Sequence, residues 1–200
     1  LYFLANTFGN VQTNNSTTNA NSGNNSVRFY NSSDLNPVWM LVSPELSNLS
    51  AGTHQTVFYA KDSDANDIII GTMSDPLDTA TFTAFDTITT TSAYQEYIVS
   101  FAGYSGTDNY IAYRSVPGAT YDYTYMDDIS WGMIPTCPKP NSLMAGSITD
   151  VSAQLSWTET GSATAWEIEY DTVGFTPGTV TIAAAGSNPF TLTSLSANTS

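Results

Sequence analysis

Tyr125-Met126-Asp127-Asp128-Ile129-Ser130-Trp131 is followed within a few residues by Pro135-Thr136-Cys137-Pro138-Lys139-Pro140, and this junction divides the chain. The first stretch reads as a closing β-strand, because aromatic and β-branched residues surround its aspartate pair. The second places three prolines in six residues, which favours extended, polyproline-like backbone and suppresses strand pairing. One module therefore occupies residues 1–133, a hinge 134–140, and a second module 141–200.

Working outward, almost nothing has a helical period. Val57 and Tyr59 alternate with Phe58 and Ala60, Ile68 and Ile70 flank Ile69, Tyr97, Val99 and Phe101 share one parity, and so do Ile111 and Tyr113. Such period-two runs between Gly, Pro, Asn and Asp clusters mark short antiparallel strands. The fold class is all-β, and strands near 2–6, 26–31, 38–43, 54–61, 67–73, 81–88, 94–101, 109–115 and 123–131 suit a jelly-roll β-sandwich. The polar tract Asn14–Asn25 has no apolar anchor except Ala20 and is expected to be a mobile loop. Its Asn-X-Ser/Thr matches, like those at Asn31 and Asn48, arise readily by chance in such composition and do not argue for glycosylation. In the second module Ala153, Leu155 and Trp157 alternate, as do Trp166, Ile168 and Tyr170, and Phe190 with Leu192.

With 18 Asp+Glu against 4 Lys+Arg, the net charge of -14 argues against nucleic acid and anionic membranes as partners. A divalent cation is the more natural partner. No window approaches the ~20 apolar residues of a membrane-spanning helix, so no membrane insertion is expected. The single cysteine, Cys137, cannot form an internal disulfide and either pairs outside this chain or is a free thiol. The abrupt start at Leu1-Tyr2-Phe3 and stop at Asn198-Thr199-Ser200 read as a piece of a longer polypeptide with covalent neighbour domains.

The hydrophobic-Asp-Asp-hydrophobic strand resembles the last strand of MAM-like, or cleaved-adhesin, jelly-roll domains. Asn36-Pro37-Val38-Trp39-Met40-Leu41-Val42 is similar to an inward-facing strand of that family, which implies that Trp39 is a core residue. From residue 141, Trp157, Tyr170 and Leu195 resemble the core residues of a fibronectin type III domain. That resemblance implies a sandwich whose last two strands lie beyond Ser200, leaving this half poorly stable alone. It also implies that Cys137 pairs with a cysteine near the end of the same module. Both families occur in large secreted or surface-anchored bacterial proteins, so an extracellular or cell-surface location is expected.

Candidate sites are few. Alternation places Asp127 on the face of Ile129 and Trp131, and an inward carboxylate needs a metal, a basic side chain or several backbone N–H groups, unless a β-bulge turns it outward. Only Arg28, Lys61, Arg114 and Lys139 are basic, while oxygen ligands abound, so a structural Ca2+ at Asp127 and Asp128 is one reading and a buried Arg114 or backbone partner the other. The cleaved-adhesin resemblance also implies calcium there. Asp62-Ser63-Asp64-Ala65-Asn66-Asp67 lacks the glycine and glutamate of an EF-hand loop, so it reads first as a solvated hairpin connection and only second as a cation site. Tyr104, Tyr110, Tyr121 and Tyr123, with Asp108, Asn109 and Asp122, are the mixture a sugar-binding surface needs: rings to stack on pyranose faces, and polar groups for hydroxyls. Taken singly, each tyrosine also suits ordinary strand packing.

No catalytic constellation is evident: His54 is the lone histidine, and neither a phosphate loop nor zinc spacing occurs. The sequence thus points to a non-catalytic extracellular binding or adhesion module for a polysaccharide or a host or matrix protein. A structural spacer that presents another domain is the alternative.

Overall fold

The computed structural model describes residues 1–5, 9–33, 39–172, 174–176, 178 and 181–196. The chain divides into two compact units, Leu1–Ile134 and Pro135–Ser200. The first contains β1 (Tyr2–Leu4), β2 (Gly9–Asn14), β3 (Ser26–Asn31), β4 (Met40–Val42), β5 (His54–Asp62), β6 (Asp67–Met73), β7 (Thr83–Thr89), β8 (Gln95–Ser100), β9 (Tyr110–Val116) and β10 (Asp122–Met133). These form two antiparallel sheets, ordered β1-β4-β9-β6-β7 and β2-β3-β10-β5-β8. Consecutive strands repeatedly cross from one sheet to the other, which gives the jelly-roll sandwich.

The alternation read in the sequence builds the interior. Leu41, Ile68, Ile70, Ile111 and Tyr113 from one sheet meet Val11, Phe29, Phe58, Ala60, Val99 and Met126 from the other, and Trp39 is buried among them. Where described, strand bounds agree with the sequence reading to within two residues. Asn6 and Val38, which that reading gave to strands, lie outside the described residues, as do Asn36, Pro37 and residues 197–200. One strand escaped it: β2 reads Gly9-Asn10-Val11-Gln12-Thr13-Asn14, with only Val11 apolar, because it is an edge strand that pairs with β3 alone.

Two local expectations are corrected. The segment after Asp62 is not a hairpin, since β5 and β6 belong to different sheets and the connection carries the chain across the sandwich. Along β10, Asp127 faces Tyr59 while Ser130 faces Val57, so one extra residue is accommodated and Asp128 takes a left-handed φ of 49°. This β-bulge reverses the parity of the strand. Met126 before it and Ile129 and Trp131 after it all pack on the same core, and Asp127 does not share their face.

The second unit contains β11 (Asn141–Gly146), β12 (Ser152–Thr158), β13 (Trp166–Tyr170), β14 (Thr181–Ala185) and β15 (Phe190–Thr193), in a three-stranded sheet β11-β12-β15 and a two-stranded sheet β13-β14. Trp157 and Trp166 meet edge to face at 5.1 Å beside an open cavity of about 480 Å³ lined also by Cys137, Leu143 and Ile168. Among the described residues here only Ala185 and Leu192 are buried hydrophobics. Cys137, the single cysteine, is exposed.

Candidate functional site

The sheet β2-β3-β10-β5-β8 has one face in the core and one in solvent. On its three central strands, Phe29, Thr124, Met126, Phe58 and Ala60 point inward, so Arg28, Tyr30, Tyr123, Tyr125, Tyr59 and Lys61 point outward. The register then assembles a row of rings. Tyr123 lies opposite Tyr30, and Tyr125 lies between Arg28 and Lys61. Tyr30 and Tyr123 stack at 4.8 Å and 23°, and Tyr123 and Tyr125 are near parallel at 6.4 Å and 15°. The Arg28 guanidinium stands 5.9 and 5.6 Å from the Tyr30 and Tyr123 ring centres, and the Lys61 amine 4.7 and 5.5 Å from those of Tyr94 and Tyr125. Each such contact adds about 0.5–1 kcal/mol where exposed, so the row is ordered before any ligand arrives.

One end of the row is closed. The tract expected to be mobile folds against it: Thr17–Asn19 forms a 3-10 turn, Asn19 Nδ2 donates to the Tyr125 hydroxyl (3.2 Å), Tyr94 donates to the Asn19 carbonyl (2.6 Å), and Lys61 donates to the Thr18 carbonyl (3.3 Å). Burial, then the Asp127 charge, raises the pKa of Tyr94, which therefore stays a donor. The other end is open. Tyr123 is 39% exposed, and the hydroxyls of Tyr30 and Tyr123 have no hydrogen-bond partner among the described residues. Beside them Asn10 Oδ1 and Arg28 Nε are buried without partners.

Asp127 and Asp128 anchor the closed end. Asp127 Oδ2 accepts from the backbone N–H of Asn21 (2.7 Å) and Ser22 (3.2 Å), and Oδ1 from that of Asp128 (2.8 Å). Asp128 accepts from the Ser22 hydroxyl (2.6 Å) and the Asn21 amide (2.9 Å), which hold its carboxyl below the usual range. Of the partners open to Asp127, the backbone N–H groups are the ones present, while Arg114 lies in the other sheet, opposite Met40 and Ile69. Calcium needs converging oxygens. In this arrangement all four carboxylate oxygens accept N–H or O–H donors, which a cation would have to displace.

Carboxylates converge instead where β5 leaves its sheet. Oxygens of Asp62, Asp64 and Asp122 lie within 4.8 Å of one another, Asp62 and Asp122 being only 1% and 5% exposed. Asn66 Nδ2 donates to both buried carboxylates, while its Oδ1 accepts from Gly118 N–H (2.7 Å). Thr124 Oγ1 donates to Asp62 (2.6 Å), and Tyr123 N–H to Asp122 (2.7 Å). Burial first, and the Asp62 charge second, raise the Asp122 carboxyl above its ordinary pKa. Two buried like charges with neutral donors can be relieved by a proton or by a cation.

Of the tyrosines singled out from sequence, Tyr123 belongs to the outer row and Tyr121, 72% exposed at φ 61°, precedes β10 at the open end. The others lie elsewhere. Asp122, next to Tyr123, is sent to the opposite side by the pleat. Tyr104 packs on Phe85 and Phe101 and accepts from Asp108 N–H (2.9 Å), and Tyr110 meets Tyr2 edge to face on the other sheet. Sequence reasoning missed Tyr30, Tyr125, Arg28 and Lys61, for which the shared parity of Tyr121, Tyr123 and Tyr125 was the one visible sign.

His54 is part of the packing. The Trp131 indole N–H must donate to Asn48 Oδ1 (3.0 Å), so Asn48 Nδ2 donates to His54 Nε2 (2.8 Å). The ring proton therefore sits on Nδ1, 2.9 Å from Thr53 Oγ1, and the imidazole stacks on Trp131. No nucleophile–His–carboxylate arrangement results among the described residues, and no helix is long and apolar enough to cross a membrane.

An all-β sandwich with a polar-aromatic outer sheet face is the class that this geometry defines. Among solved structures the chain is similar to the K1 cleaved adhesin domain of Lys-gingipain from Porphyromonas gingivalis W83, at 19% identity over 62% of this chain and 84% of that one, TM-score 0.49. It is also similar to a module, TmCBM61, in complex with β-1,4-galactotriose (17%, 66% and 88%, 0.45). A third is the family 11 carbohydrate-binding module from Clostridium thermocellum with a mixed-linked tetrasaccharide (14%, 64% and 85%, 0.43). No family model and no curated protein matches the chain.

Proposed function

We propose that the chain is a non-catalytic extracellular binding module that holds a polysaccharide on the outer face of the β2-β3-β10-β5-β8 sheet, within a larger secreted or surface protein. The observation that carries this is the ordered row Tyr30–Tyr123–Tyr125 with Arg28, at whose open end the Tyr30 and Tyr123 hydroxyls and Arg28 Nε have no hydrogen-bond partner among the described residues. A polyhydroxylated ligand satisfies donors and acceptors of this kind at once. The second unit, with sheets of three and two strands, would be a fibronectin type III sandwich short of two strands. A structural calcium ion belongs to the proposal. At Asp127 and Asp128 it would displace the Asn21 and Ser22 donors, whereas at Asp62, Asp64 and Asp122 it would relieve buried charge.

The test is retention of the folded chain on a panel of immobilised glycans and matrix proteins, with calcium and with chelator. One glycan class should be retained, and Tyr123→Ala should weaken that retention by about tenfold or more. Retention unaffected by Tyr123→Ala removes this face. Retention by a matrix protein alone replaces the ligand. The packing of Tyr104 on Phe101 in the core favours the spacer alternative, which no retention at all would leave standing.

A further inference from the structure

The chain's few cations are unevenly placed. Arg114 lies over the Phe82 ring on the other sheet and Lys139 in the second unit, so Arg28 and Lys61 are the two that flank the tyrosine row. They are not equivalent. Lys61 donates to the Thr18 carbonyl, and Asp127 and Asp128 anchor the tract that closes this end of the row, where an anion would be repelled. Arg28 makes no ion pair with any described carboxylate, although the chain carries 18 acidic residues. Its Nε is buried with no hydrogen-bond partner among the described residues, and so is Asn10 Oδ1 on the neighbouring strand, across from Tyr30. Buried donors and acceptors are rarely left unmade, and the Arg28 guanidinium stands beside two rings whose hydroxyls have no partner among the described residues, so donors are gathered here without an acceptor.

We propose, resting on the glycan-binding reading above, that the polysaccharide is acidic, and that its carboxylate or sulfate is bound by Arg28 at the open end of the row. The Tyr30 and Tyr123 hydroxyls donate to the same anion or to ring oxygens. A net charge of -14 gives no long-range attraction to a polyanion, so binding depends on this short-range contact and not on bulk charge.

The experiment titrates the whole chain, at one ionic strength, with polygalacturonate and its carboxyl-reduced neutral form, and with dextran sulfate and dextran. One anionic polymer should bind at least about tenfold more tightly than its neutral counterpart, and the pair that shows the margin assigns carboxylate or sulfate. Arg28→Gln should abolish that margin, and Arg28→Lys should keep part of it. Should Arg28→Gln lower the melting temperature, Arg28→Lys and the chemically reduced polymer carry the comparison. Neutral polymers binding as tightly as charged ones, or a margin that survives Arg28→Gln, overturns the acidic assignment alone. Binding of no glycan in this set or in the wider panel overturns the glycan-binding reading and this inference with it.

Discussion

The first unit and the second are both short antiparallel strands of similar composition, but their sheets do different work. Two five-stranded sheets close over Phe29, Phe58, Ile70, Val99 and Met126, whereas three strands and two leave Trp157 and Trp166 half covered beside an open cavity, with Leu143 and Met144 exposed. Alternation alone thus makes an amphipathic strand. An interior requires enough strands on both sides to remove it from water, because stabilisation scales with apolar area buried.

Hydrogen exchange gives the largest expected contrast. Amides of β5, β9 and β10 should exchange at least about a hundredfold more slowly than those of β11 and β12, and equal protection would break the comparison. Next, Phe58→Ala should cost about 3–5 kcal/mol in chemical unfolding followed by the exchange of first-unit strands. Leu192→Ala, at the edge of a thin interior, should cost less when read through β12 and β15. A smaller effect concerns the tie between the polar tract and β10. Asp127→Ala removes the acceptor for Asn21 and Ser22 and should cost about 1 kcal/mol while exposing residues 15–25 to limited proteolysis. Cleavage at wild-type rates would show that the tract is held by other contacts.

The smallest effects are in pH. Asp128 has a depressed carboxyl pKa when folded, so its contribution is present above the unfolded value of about 3.9 and is lost as pH falls through the folded value. Asp122 has a raised one, so the folded state binds the extra proton and gains stability as pH falls from above the folded value to the unfolded one. Melting temperature against pH should therefore lose an acid-side decline in Asp128→Asn and lose an acid-side gain in Asp122→Asn. If calcium occupies Asp62, Asp64 and Asp122, replacing chelator by calcium should raise the melting temperature of wild type and not of Asp122→Asn. An unchanged wild-type melt would remove the ion.

How far the site was legible depended on which neighbours are local. Tyr123 was found because it lies beside Tyr121 and Asp122 at the start of a strand, the local mixture of rings and polar groups that a sugar surface needs. Its stacking partner Tyr30 is brought by strand pairing from far away in the chain, and Arg28 acquires its meaning only beside both rings. The same holds for Asp62 and Asp122, which the linear pattern placed in a hairpin and in a sugar-binding loop and the fold packs together. For Asp127 the sequence left two directions open, inward by alternation or outward through a bulge, and the register shift on β10 decides for the bulge, which leaves no mark in a period-two pattern.

By itself the sequence determined the all-β class, nine of the first unit's strands, most of the core and the change of module at the prolines, because each follows from local periodicity and backbone restriction. Tertiary structure alone decided the edge strand Gly9–Asn14, the direction of Asp127, the closing of one end of the tyrosine row by a polar tract and the convergence of Arg28 with Tyr30 and Tyr123. Those depend on register and sheet order, which are fixed by contacts between residues distant in the chain.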